Sequence, residues 1–256
     1  MPQATDLRKM FNIQPDPEAA LVALAGNPNT GKSTIFNALT GLRQHTGNWP
    51  GKTVLQARGT FIFRGHKYIL VDLPGTYSLL ANSAEEIVAR NFLCFARPDA
   101  TVVVADATCL ERNLNLVLQV MEITSRVIVC VNLMDEARRK NIFIDTECLA
   151  RELGVPVVAT AARSGQGVAE LKAGIDDLVR GRIVPTPRRL VYDPEIEDAL
   201  TRVEQQIPGE IKELFNARWL AMRILDNDRS TLDNIRQYLE PAEWGVLRER
   251  FKYCPT

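Results

Sequence analysis

The chain has 256 residues, enough to bury one or two cores, and its 31 basic residues balance 31 acidic ones, so no global basic field draws it to nucleic acid. No stretch approaches the ~20 apolar residues that span a bilayer. The first twenty residues, with Asp6, Asp16 and Glu18, lack a signal peptide's apolar core, and five cysteines without C-x-x-C spacing point to a reducing, cytosolic setting.

After an N-terminal extension over 1–20, strands and helices alternate to about residue 182. That is the pattern of a mostly parallel α/β sheet with helices on both faces. Six strands are predicted, near 21–25, 53–63, 67–72, 100–106, 127–132 and 155–160. Helices fit 31–40, 84–95, 112–124, 145–153 and 168–179. The turn Arg64-Gly65-His66-Lys67 makes the second and third strands an antiparallel edge hairpin. Cys94 and Cys130 fall in apolar runs and read as small buried hydrophobes. Residues 183–192, with Pro185, Pro187, Arg188 and Arg189, read as a solvated linker. From 193 to 256 the pattern is helical only, a small all-helical subdomain. Ile196, Leu200, Val203 and Ile207 share one face, and Leu214, Ala221 and Leu225 another, with Phe215, Trp219 and Met222 beside them. Ser230 is the expected cap of a helix over 231–239, and Pro241 opens a last one with Trp244.

The chemistry starts at the first strand. Gly26-Asn27-Pro28-Asn29-Thr30-Gly31-Lys32-Ser33 follows an apolar run and leads, through Thr34, into a helix. That is G-x-x-x-x-G-K-[ST] in the context it needs: backbone N–H groups curl around phosphate oxygens at a helix N-terminus. Lys32 neutralises the β- and γ-phosphates, and the Ser33 hydroxyl ligates Mg²⁺. Asp72-Leu73-Pro74-Gly75 ends a second apolar run; Asp72 suits the Mg²⁺ shell and Gly75 a backbone N–H to the γ-phosphate. Asn132-Leu133-Met134-Asp135 ends a third. A carboxylate at Asp135 accepts from the N1–H and 2-amino group of guanine, whereas adenine would leave it unpaired. The alternative role for Asp135 is a helix cap. Its place downstream of the other two motifs favours guanine, with Ala161, Ala162 and Arg163 in the base-binding loop after the sixth strand.

Taken with Gly47-Asn48-Trp49-Pro50-Gly51-Lys52-Thr53 and Asp72-Leu73-Pro74-Gly75-Thr76-Tyr77-Ser78-Leu79, these residues resemble the bacterial ferrous iron transport protein B family. The stretch from Arg218 to Asp228 is similar to that family's helical-domain signature, and the likeness covers roughly 21 to 251. It implies a Ras-like P-loop GTPase domain over 21–182 and a helical domain over 193–256, on the cytoplasmic face of the inner membrane beside a membrane transport domain of the same full-length protein. It also implies that Thr53 is the switch I ligand of Mg²⁺, that Asp72 and Gly75 open switch II, and that Asn29 with the carbonyls of Gly47 and Trp49 binds an activating K⁺. Because that ligand is the backbone of Trp49, its ring reads equally as a mobile, partly exposed group with no role of its own.

Two departures bear on rate and affinity. Thr76 stands where Ras-like proteins carry the water-orienting glutamine, so intrinsic hydrolysis is expected to be slow. Ala161 brings no hydroxyl to the base loop, and Leu133 replaces a lysine stem over the base, so guanine binding is expected to be weak. His45 and His66 lack companions at metal spacing, and nothing reads as an iron site. A homo-oligomer is compatible with the sequence. Two other readings stay open: an RNA-binding ribosome-assembly GTPase, which would normally carry a basic appended domain, and a nucleotide-responsive binding module with negligible turnover.

Overall fold

The computed structural model describes residues 8–14, 16–41, 44–50, 53–80, 83–236, 239, 245 and 251. The expected last helix with Trp244, and Cys254, lie outside them.

The sheet has seven strands, one more than the six predicted: β1 (Ala19–Gly26), β2 (Gln44–Asn48), β3 (Leu55–Phe63), β4 (His66–Asp72), β5 (Ala100–Asp106), β6 (Val127–Asn132) and β7 (Val157–Ala159). Their order is β2-β3-β4-β1-β5-β6-β7. The five strands β4, β1, β5, β6 and β7 run parallel, and β3 and β2 are added antiparallel at one edge. The additional strand is β2, a polar Gln-His-Thr-Gly-Asn segment without apolar alternation; only its long-range pairing with β3 makes it a strand.

The central strands β1, β5 and β6 are buried and mostly apolar because both faces are covered. In β1, Leu21, Ala23 and Ala25 join one core, while Val22 and Leu24 join the other. Helices α1 (Lys32–Thr40) and α6 (Val168–Val179) close the second face, through Ile35, Phe36, Leu39, Leu171 and Ile175. Helices α2 (Ala84–Asn91) and α3 (Leu110–Ile123) close the first. Ser83 caps α2 by accepting the Glu86 N–H. The predicted helix over 84–95 is α-helical only to Asn91; Phe92–Ala96 winds as a π turn, ended by Arg97 in a left-handed conformation (φ 46°). Shorter helices α4 (Met134–Arg139) and α5 (Thr146–Leu153) follow β6.

Residues 183–193 contain no helix or strand, yet they are not simply solvated. The Thr186 and Arg188 N–H groups donate to the carbonyls of Gly154 and Leu153, at 3.0 and 2.9 Å. Beyond them come α7 (Pro194–Gln206), α8 (Gly209–Leu214), α9 (Ala217–Leu225) and α10 (Arg229–Arg236). Leu200, Ile207, Ile211, Phe215, Trp219 and Leu220 are buried, and Phe215 meets Phe95 edge-to-face at 5.3 Å, joining the helical region to the core of the first face. Ile196 and Leu225, expected on buried faces, are exposed. α10 starts two residues earlier than predicted, and the side chain that accepts the Thr231 N–H is Asp228, at 3.0 Å, in place of Ser230. Cys94 and Cys130 are buried, which pushes both thiols up to about 12. Among the described residues, no helix is long and apolar enough to cross a membrane.

Candidate nucleotide-binding site

Parallel pairing in register brings the C-terminal ends of β1, β4, β5 and β6 to one edge of the sheet, so the loops after Gly26, Asp72 and Asn132 meet there. The loop from Gly26 to Gly31 turns through two left-handed residues, Asn29 (φ 66°) and Gly31 (φ 80°). Glycine is needed at position 31, because a Cβ there would stand 2.3 Å from Asn132 Nδ2. The Thr30 hydroxyl donates to the Asn27 carbonyl at 3.0 Å and closes the loop. Asn29, Ser33 and Thr34 are exposed on the open side, while Pro28 is half-buried.

Lys32 Nζ donates to Asp72 at the end of β4, and to the Leu73 carbonyl at 2.6 Å. Burial pushes the Asp72 carboxyl above its ordinary value, against the pull of Lys32. The cation suited to phosphate and the carboxylate suited to a Mg²⁺ shell thus hold each other. Gly75 lies directly on the phosphate loop, where a Cβ would be 3.4 Å from the Pro28 Cα. The next residue, Thr76, is buried, and its N–H reaches the Gly26 carbonyl at 3.3 Å.

On the base side, Asn132 joins three segments with one buried amide. Its Nδ2 donates to the Thr30 carbonyl at 3.0 Å, and its Oδ1 accepts from the Thr160 hydroxyl at 3.0 Å and the Ala162 N–H at 3.1 Å. The hydroxyl missing at Ala161 is therefore replaced from the preceding residue, and Ser164 adds a bond to the Ala161 carbonyl at 2.9 Å. Sequence reading missed this role of Thr160. Ala161 and Ala162 are buried and Arg163 is exposed. Leu133 holds φ 63°, an uncommon conformation for a bulky residue and one that clusters at functional sites. It occupies the N-cap position of α4, which leaves Asp135 in the first turn. The Asp135 side chain is 44% exposed, 3.7 Å from Arg139, so a base can reach it.

The residues expected to form switch I lie on and after the edge strand β2. Strand order puts β2, which contains Gly47, three strands from β1, about 14 Å at ordinary strand spacing. Thr53 is exposed, and among the described residues no hydrogen bond ties it to Ser33 or Asp72. Asn29 lies in the phosphate loop after β1, whereas Gly47 and Trp49 lie on and just after the edge strand β2.

The Trp49 ring is not partly exposed, the alternative that the sequence left open. It is 2% exposed, packed edge-to-face against Phe11 (6.3 Å) and Phe92 (5.3 Å). Its Nε1–H has no hydrogen-bond partner among the described residues, nor have the side-chain amide atoms of buried Asn27; an orphaned buried group of this kind costs about 1–3 kcal/mol. Phe11 and Ile13, in the N-terminal extension, are core residues that sequence reading left out; the apolar-polar-apolar Phe11-Asn12-Ile13 was the available signal.

A family model described as ferrous iron transport protein B matches residues 20–175, and one described as the FeoB cytosolic helical domain matches 192–252. The Fe(2+) transporter FeoB of Methanocaldococcus jannaschii is 38% identical over 251 residues, covering 90% of this chain and 37% of that protein. The Escherichia coli (strain K12) transporter is 36% identical over 86% of this chain and 29% of its own length. The chain thus spans about a third of the curated relatives it matches. Among solved structures, the cytosolic domain of T. maritima FeoB in a GDP form aligns with a TM-score of 0.79 at 34% identity, covering 91% of this chain and 95% of that one. The FeoB G domain of Methanococcus jannaschii aligns with a TM-score of 0.57 at 45% identity, over 64% and 99%.

Proposed function

Since the chain belongs to the ferrous iron transport protein B family, we propose that it is the GTP-binding, slowly GTP-hydrolysing regulatory part of a ferrous iron transporter, at the cytoplasmic face of the inner membrane. Its nucleotide state would bias a membrane transport domain of the same full-length protein. One observation carries the reading: the Asn132 amide fixes the phosphate loop and the base loop to each other, with the Asp135 carboxylate accessible beside them.

Each residue then has a task. The loop amides and Lys32 take the phosphates, which frees Asp72 from its lysine. Gly75 rests on Pro28, and its N–H would serve the γ-phosphate. Asp135 selects guanine by pairing with donors that adenine lacks. Mg²⁺ suits the exposed Ser33 hydroxyl and the Asp72 carboxylate, and when bound it offsets charge on the β- and γ-phosphates. Thr53 completes that shell only after switch I moves inward. K⁺ stimulation, with Asn29 and the carbonyls of Gly47 and Trp49 as ligands, belongs to such a rearranged state as well. Buried Thr76 leaves the attacking water without a glutamine, in keeping with a low rate.

A competition titration tests the reading. GTP and GDP should displace a labelled guanine nucleotide far better than ATP, and Asp135→Asn should lose about 2–4 kcal/mol of that preference. Equal competition by ATP would refute the guanine assignment.

A further inference from the structure

The segment before β1 crosses the outside of the first core and is tied down at several points. Arg8 donates to the Ala96 carbonyl at 3.1 Å and the Arg97 carbonyl at 2.9 Å, and pairs with Asp99 at 3.2 Å. The Gln56 side chain donates to the Phe11 carbonyl at 3.4 Å, and Arg58 donates to the Asn12 carbonyl. Asp16 meets Lys67 at 2.8 Å. Between these ties, Phe11 enters a three-ring cluster, each pair edge-to-face, with Trp49 and Phe92.

The other two rings come from the end of β2 and from the turn after α2. Trp49 directly follows β2, and Phe92 opens the π turn that continues α2, the helix after switch II. Gln56 links both parts of the arrangement. It bonds Phe11 through its side chain, and it pairs with Gly47 of β2 in the sheet register. The Trp49 backbone N–H donates to the Val54 carbonyl at 2.9 Å, but its indole has no hydrogen-bond partner among the described residues, so the ring itself is held by packing against Phe11 and Phe92.

We propose that residues 8–14 with Asp16 form a strap that holds switch I in its outward position, Phe11 being the positioning residue and Trp49 its receptor. This rests on the GTPase reading above. In this proposal Thr53 reaches a bound metal when the chain from β2 through Trp49 shifts toward the phosphate loop and the Trp49 ring leaves Phe11. The strap opposes that shift. Apparent affinity for a triphosphate falls by the fraction of molecules whose switch is free to close, while a diphosphate, which does not engage switch I, is unaffected.

The test compares the full chain with Phe11→Ala and Arg8→Ala. Arg8 is part-buried at the strap's start and opens no core cavity, so it decides the matter should Phe11→Ala fold poorly. Mg²⁺-GMPPNP affinity, GDP affinity and single-turnover GTP hydrolysis are measured on each. The strap predicts GMPPNP binding tighter by about threefold or more, faster hydrolysis and unchanged GDP affinity, with Phe11→Tyr returning toward wild type. Variants that bind GDP normally but bind GMPPNP and hydrolyse GTP no better than wild type overturn the strap alone. A wild-type chain that fails to prefer GTP over ATP overturns the GTPase reading, and the strap with it.

Discussion

The two flanks of the nucleotide site are held by different kinds of contact. On the base side, directed hydrogen bonds from Asn132 fix the phosphate loop, Thr160 and Ala162 within about one side chain's reach of each other. On the switch side, β2 is an edge strand paired with β3 alone, and the Trp49 indole beyond it, without a hydrogen-bond partner among the described residues, rests against aromatic rings. Hydrogen-bonded groups of fixed geometry preorganise a site, whereas edge-to-face packing is less directional and can be exchanged for another arrangement. On the proposed function, the first flank would recognise the base and the second would respond to the γ-phosphate.

Removing the central tie should break the base side most. Asn132→Ala deletes three bonds and orphans the Ala162 N–H. It should cost about 2–3 kcal/mol of stability and weaken GDP and GTP alike, read by thermal melts and titrations. Loss of GTP binding alone would mean that the tie serves the switch.

Next in size is a contact at the far end of the switch-side hairpin. Asp176 on α6 is fully buried and accepts the Tyr68 hydroxyl on β4, with Arg64 from the hairpin turn and Arg182 around it. Burial pushes this carboxyl up, but Tyr68, Arg64 and Arg182 outweigh it and hold it below the usual value, while burial and Asp176 push Tyr68 up to about 12. Asp176→Ala should destabilise by about 1–3 kcal/mol at pH 7, since Tyr68 loses its acceptor. A folded pKa below the unfolded one means that this contribution is present above about pH 4 and is lost as pH falls through the folded value. Chemical denaturation of both proteins should therefore converge on acidification; a gap that persists at low pH would contradict the assignment.

Thr53→Ala sharpens the contrast without unfolding either flank. It should slow hydrolysis by about tenfold or more while GDP affinity stays at wild type. Equal losses for GDP and a GTP analogue would move Thr53 out of the switch. The smallest effect belongs to Asn29→Ala. Wild type should hydrolyse GTP faster in K⁺ than in Na⁺ at matched ionic strength, and the variant should lose most of that difference with GDP binding retained. Identical wild-type rates in the two salts would leave Asn29 a loop residue.

The contrast also explains what was legible in the sequence. The phosphate loop, Asp72, Gly75 and the Asn132–Asp135 turn are short motifs at the ends of apolar strands, so spacing alone identified them. β2 is polar and is a strand only because β3 pairs with it. Trp49 is buried by Phe11 and Phe92, far from it on either side in sequence, and no local pattern announces that meeting. Ala161 looked deficient because the compensating hydroxyl sits one residue earlier and turns toward Asn132. The π turn after α2 reads as ordinary helix, since its five apolar residues fit either winding.

Amide hydrogen exchange measured with GDP and with Mg²⁺-GMPPNP tests the difference between the flanks most directly. The account predicts that segments 127–135 and 160–162 gain equal protection from both nucleotides. Segment 44–56 should respond to the triphosphate analogue alone, through rearrangement of the β2–β3 pairing. Exchange in 44–56 that is the same in both states, or a base side protected by only one of them, would contradict it.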